Sequence, residues 1–196
     1  MKKRIVKNKL LLRILIMILI AFLLGLFYLA ILSKTNKGMI QENLNLFFSS
    51  IKDLDYVKGL INSLTTNFIY VALIWILGIS IIGVPIIIFL LLTKSFILGF
   101  SISSIIYFYQ WKGIIIALIY SIPLIFNLFF LFFLGYYGIL FSKNLNQLLF
   151  MKKNINFKDI MRKYLRILLF TTIGIIISSI LEIYLIPNLL KLLQIS

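Results

Sequence analysis

Catalysis and metal binding need side chains that exchange protons or donate lone pairs, and this chain is poor in them. It has no cysteine and no histidine, which removes thiolate nucleophiles, disulfides, imidazole bases and the commonest zinc ligands together. Five acids remain, Glu42, Asp53, Asp55, Asp159 and Glu182, too scattered for a paired-carboxylate or magnesium site. Asp53 and Asp55 come nearest to a pair, but helical residues two apart point away from each other, so a solvated face is the reading for both. No catalytic residue, cofactor or metal is expected. Two charges stand out because they lie within apolar sequence: Lys94, between Trp75 and Phe100, and Glu182, in the run 167–190.

Glu182 continues a line of small residues, Gly174 and Ser178, at helical spacing. That puts a carboxyl on a face suited to close helix packing. An acid inside a span is costly and calls for a partner; Asn67, Asn127 and Lys112 are the candidates. Alternatively, Glu182 lies near enough to the outer interface to be hydrated. A proton relay would need a second titrating group on the path, and none is evident. Lys94 receives the opposite reading: a buried lysine costs roughly 2.5–3.5 kcal/mol on insertion scales. It is therefore expected at a membrane surface, in a tight turn between two spans.

The elements that would hold these groups are membrane helices. With 62% hydrophobic and 13% charged residues and a mean hydropathy of +1.12, the chain could not hide its apolar surface in a soluble domain of this size. An all-α integral membrane protein of one domain is expected, with spans at 14–32, 68–92, 95–109, 113–141 and 167–190, joined by a basic tail (1–13), an external loop (33–67) and a basic inner loop (142–166). The first run is read as an uncleaved span, since it is longer than a typical signal core and no small-x-small cleavage pattern follows it. Six basic residues in the tail, Lys94, and seven in 142–166 would share one side, against six elsewhere. That side is the cytoplasm by the positive-inside rule, so five spans run from an inner N-terminus to an outer C-terminus. The net charge of +15 is read as topology and contact with anionic membrane lipid, not as nucleic-acid binding.

Small and helix-breaking residues mark packing positions. Gly78 and Gly83 permit close approach in the second span, and Pro85 is expected to kink it. Ser95, Gly99 and Ser103 form a small-residue stripe on the third. In the external loop, Leu44, Phe47, Ile51, Leu54, Val57, Ile61, Leu64 and Phe68 recur every three or four residues, the pattern of an amphipathic helix. Two readings of it are open: a helix lying on the outer leaflet or the bundle, or a docking face for an extracytoplasmic partner through Leu44, Phe47, Ile51 and Leu54.

Two blocks resemble a known family. Trp75, Gly78-Ile79-Ser80, Gly83-Val84-Pro85, Lys94 and Gly99-Phe100, preceded by Asn67, are spaced as in the stage II sporulation protein M family. A second block, Ser178-Ser179, Glu182, Tyr184 and Pro187, is similar to that family's C-terminal pattern. Broader relatives often carry a His after the proline of the fourth span and a Glu soon after; here Leu124 follows Pro123, and Asn127 is the polar residue nearby. The resemblance implies a non-enzymatic scaffold of the engulfment machinery at the sporulation septum, working with stage II sporulation proteins D and P, which cut peptidoglycan. It leaves oligomerisation open. The competing reading is a transporter subunit paired with a cytoplasmic ATPase, or a lipid-handling protein; it lacks converging polar groups at mid-membrane.

Overall fold

The structure, a computed structural model, describes residues 2–51, 55–80, 82–150 and 156–192. Its elements are helices: α1 (Lys2–Ile31), α2 (Lys34–Ser50), α3 (Tyr56–Ile79), α4 (Gly83–Leu149), α5 (Phe157–Ile180), a π-helical turn (Leu181–Leu185) and α6 (Ile186–Leu192). Among the described residues, four helical stretches are long and apolar enough to cross a membrane: Lys9–Ile31, Tyr56–Ile79, Gly83–Leu149 and Phe157–Lys191. Large apolar side chains such as Phe27, Leu118 and Leu169 cover their outer surfaces, as a lipid-facing bundle requires.

Polar side chains set where the helices begin. Ser33 caps α2 by accepting from the Asn36 amide, Asp55 caps α3 by accepting from the amides of Val57 and Lys58, and Asn156 caps α5 through Lys158. Each satisfies backbone donors that a helix start leaves unpaired. Asp55 is thus a cap, additionally paired with Lys58 at 3.4 Å; Asp53 lies outside the described residues.

α4 is a helical hairpin. At Gln110 the backbone has φ 51° and ψ −126°, a region that side-chain-bearing residues seldom enter, and the chain reverses there. Gly113 faces the carbonyl of Ile105, while Gly135 packs on Leu91 and Ile87. The two arms, 83–109 and 111–149, therefore run antiparallel. α1 lies along the first arm: a Cβ on Gly99 would run into the Phe22 carbonyl, and one on Gly25 into that of Phe96. Ser95 locks this contact by donating to the Ile18 carbonyl at 2.8 Å.

Several boundaries differ from those expected. The helix break falls between Ile79 and Gly83, not at Lys94, which stands inside the first arm of α4. Pro85 lies in the first turn of that arm, where its missing N–H has no helical partner to lose, so it starts a helix and does not kink one. The amphipathic pattern 44–68 is divided between α2 and α3, because Asp55 begins a new helix. The inner loop is shorter than 142–166: α4 continues to Leu149 and α5 starts at Phe157. Tyr164, expected in that loop, is a core residue whose hydroxyl donates to the carbonyls of Ile74 (3.3 Å) and Trp75 (3.1 Å). Gly78 and Gly138 flank the same hydroxyl.

Among the described residues, the bundle holds two apolar clusters. One gathers Ile14, Ile74, Ile87, Leu91, Leu131, Leu134, Tyr164 and Ile175 from α1, α3, both arms of α4, and α5. The other gathers Phe48, Ile51, Ile105, Ile116, Ile186 and Leu190 around the hairpin tip. Polar side chains lie between them.

Candidate functional site

The polar group is built on α3, the first arm of α4, and the π-helical turn after α5. Asn67, 5% exposed, donates to Ser63 Oγ at 3.3 Å and to Ser179 Oγ at 3.1 Å. Ser63 in turn donates to Glu182 Oε2 at 2.7 Å. One turn of α3 separates Ser63 from Asn67, so a single helix face presents both to α5. The chain Ser179–Asn67–Ser63–Glu182 satisfies groups whose burial would otherwise be costly.

Glu182 lies in the turn Leu181–Leu185, which has π-helical bonding. The reason is adjacent in sequence. Pro187 has no N–H for the Ile183 carbonyl, and a wider turn precedes it. Tyr184 leaves this turn toward α3 and stacks on Tyr56 at 5.2 Å, and the Tyr56 hydroxyl donates to Asn188 at 3.3 Å. The line Gly174–Ser178 faces the second arm of α4: Gly174 accommodates the Phe130 ring, and Ser178 donates to the Pro123 carbonyl at 2.6 Å.

Lys94 stands eleven residues into α4, about 17 Å along the axis at the standard rise. Its ammonium lies 4.0 Å from the centre of the Tyr70 ring, a cation–π contact that offsets part of its desolvation. A cavity of about 300 Å³ is lined by Asn62, Ser63, Thr66, Asn67, Lys94 and Glu182. A smaller chamber of about 70 Å³ on the other side of Lys94 is lined by Ser101, Tyr120 and Asn127. The tight turn expected at Lys94 is absent, because α4 runs through it. An aromatic face and a carboxylate share the surroundings of the half-buried lysine.

Glu182 reaches Asn67 through Ser63, and its counter-charge across the cavity is Lys94, not Lys112. Sequence reasoning missed Ser63 and Tyr70. Ser63 falls four residues before Asn67 on the helix, and Tyr70 is an aromatic beside two polar positions; those spacings were the available signals. Asn127 lines the small chamber only. Trp75 sits beside Tyr164, with its indole N–H unpartnered among the described residues. Ser103 turns back to the Phe100 carbonyl at 3.0 Å. Among the described residues, no group of three or more acids could hold a metal.

At the cluster around the hairpin tip, α2 is fastened to the bundle. Phe48 packs edge-on against Tyr109 and Phe47 against Tyr120, and the Tyr109 hydroxyl donates to Asn45 at 2.8 Å. Ile51 is 2% exposed and belongs to the core, so it cannot serve as the docking side chain expected of it. Leu44 packs against the same cluster, Phe47 is 41% exposed, and Leu54 lies outside the described residues. Beside that contact, Gln41, Glu42, Asn45, Leu46 and Ser49 of α2 border a shallow hollow of about 460 Å³.

Residues 14–187 match the family model described as Stage II sporulation protein M. Comparison with curated proteins and with solved structures finds no match. The family is not a known enzyme family. A match over nearly the whole chain, on a fold of long apolar helices, makes this a sporulation-related membrane protein: the chain belongs to the stage II sporulation protein M family.

Proposed function

We propose that this protein is a non-enzymatic scaffold of the sporulation engulfment machinery, recruiting and positioning peptidoglycan hydrolases at the septal membrane. Its partners on this reading are stage II sporulation proteins D and P. Family membership sets the context, and the mounting of α2 carries the reading. With Leu44, Phe48 and Ile51 turned into the bundle, the side bearing Gln41, Glu42 and Leu46 is held in a fixed orientation, which lowers the entropy lost when a partner binds.

The arrangement in the membrane follows from charge. The bundle crosses five times, counting the α4 hairpin as two, with the N-terminus in the cytoplasm. The basic residues of the tail and of 142–166 then lie inside, while Lys34, Lys37, Lys112 and Lys191 lie outside, in keeping with the positive-inside rule. Removing Lys94 from the inner count leaves that bias intact. α2 is then extracytoplasmic, on the side where the wall is cut.

The test is a pair of substitutions, Glu42→Lys and Leu46→Asp, on the outer side of α2. Hydrolase co-purification should fall at least tenfold while protein level and membrane insertion stay unchanged. Undiminished co-purification from the double variant would refute this docking face.

A second reading, a transporter subunit or lipid-handling protein, draws on one observation: the polar cavity holding Lys94 and Glu182. Polar groups in that position are what a substrate path through a membrane uses.

A further inference from the structure

Lys94 and Glu182 carry opposite charges into one open cleft of the bundle, yet make no direct ion pair with each other. Glu182 Oε2 accepts from Ser63, which leaves Oε1 for another donor. The Lys94 ammonium has three N–H groups and touches a ring on one side. Both groups therefore retain bonding capacity directed at the same volume.

We infer that this cavity is a binding site for a small zwitterion, one primary ammonium joined by a short chain to an oxyanion. The oxyanion lies on Lys94 and the ammonium on Glu182. A simple anion would gain Lys94 but be repelled by Glu182; a simple cation would meet the reverse. A zwitterion satisfies both and adds no net charge to a low-dielectric site, where an uncompensated charge is expensive. A primary ammonium suits Glu182 better than a quaternary one, because only the former can donate to Oε1. Asn62 and Thr66 in the wall supply further donors and acceptors.

Size points the same way. At about 300 Å³ the cavity lies at the lower limit for small-molecule pockets, which run from about 300 to 1,000 Å³. It admits a headgroup or a free metabolite, not a whole lipid. Gly59 and Asn62, in the first two turns of α3, belong to its lining, so it extends toward the end of the bundle where α3 begins. Toward Ile79 and Gly83 the bundle is packed by the apolar cluster around Ile74, Leu91 and Leu131. Two sources share the ligand chemistry: the headgroup of a phosphatidylethanolamine-type lipid, and a soluble aminoalkyl phosphate. The site is independent of hydrolase recruitment, and a binding assay reads neither recruitment nor transport.

The experiment measures thermal unfolding of the full-length protein in a zwitterion-free detergent, with four soluble probes: phosphoethanolamine, phosphocholine, ethanolamine and inorganic phosphate. Short-chain phosphatidylethanolamine and phosphatidylglycerol form a second arm. Phosphoethanolamine, or phosphatidylethanolamine alone if the source is the bilayer, should raise the unfolding midpoint by about 4 °C or more at a hundredfold excess over Kd. Phosphocholine, ethanolamine, phosphate and phosphatidylglycerol should shift it by less than half as much. Lys94→Met and Glu182→Gln should each abolish the selective shift. Thr66→Phe, which fills the cavity from its wall and leaves both charges in place, should do the same and guards against misfolding of the charge variants. No shift with any amine-and-oxyanion probe, an equal shift with phosphate alone, or a selective shift that survives Thr66→Phe would overturn the assignment.

Discussion

Lys94 and Glu182, 88 positions apart in the chain, line one open cleft of the helical bundle. Each is the other's counter-charge across that space, so neutralising one strands the other. The double variant Lys94→Met/Glu182→Gln should therefore be less destabilised than the sum of its singles, by about 0.5–3 kcal/mol of coupling. Thermal or denaturant unfolding in detergent measures the cycle. Strict additivity would show that the two charges do not feel each other.

Gly78 and Tyr164 should also be coupled, for steric reasons. A Cβ at Gly78 would meet the Tyr164 hydroxyl and Gly138, and overpacking of this kind costs about 1–3 kcal/mol. Tyr164→Phe removes a hydroxyl bonded to two carbonyls of α3, for about 1 kcal/mol. Removing the oxygen also makes room. Gly78→Ala combined with Tyr164→Phe should cost less than Gly78→Ala in the wild type, again read from unfolding midpoints.

Gln110 holds the reversal of α4 in a backbone conformation suited to glycine, at φ 51°. Such a residue stores about 1–3 kcal/mol, and Gln110→Gly should release part of it, raising stability by about 1 kcal/mol after its added unfolded-state entropy. Gln110→Val, β-branched, should lower stability. Both are measured by unfolding, with the ranking Gly above Gln above Val as the expected outcome.

Ile51 and Leu46 occupy opposite sides of one short stretch. Ile51→Asp would bury a charge in the cluster at the hairpin tip, cost at least about 3 kcal/mol and release α2 from the hairpin. Leu46→Asp, at 61% exposure, should change stability by no more than about 0.5 kcal/mol. Limited proteolysis separates them: cleavage within 34–50 should accelerate in the first and not in the second.

The apolar runs made the membrane class and the helices legible, because twenty or more apolar residues without a charge have few other structures available. The small residues Ser95, Gly99 and Gly174 also spoke plainly: each lies where another element comes too close for a larger side chain. Lys94 misled for a physical reason. A cost assigned to an isolated charge in lipid does not apply to one beside Tyr70 and Glu182, and those neighbours come from remote positions that periodicity does not connect. Pro85 was read as a kink because nothing in the apolar run signals that α3 has already ended at Ile79. The amphipathic pattern 44–68 is shared by two helices, which turn Leu44 and Ile51 into the bundle and leave Phe47, Val57 and Ile61 exposed.

The central claim, that this bundle is a platform for wall-cutting enzymes, is tested most directly by affinity purification of the tagged protein from sporulating cells, with mass spectrometry of what accompanies it. Recovery of peptidoglycan hydrolases, dependent on Glu42 and Leu46, is the predicted result. Recovery of a nucleotide-binding ATPase without any hydrolase would contradict it and make the cavity of Lys94 and Glu182 part of a transport path.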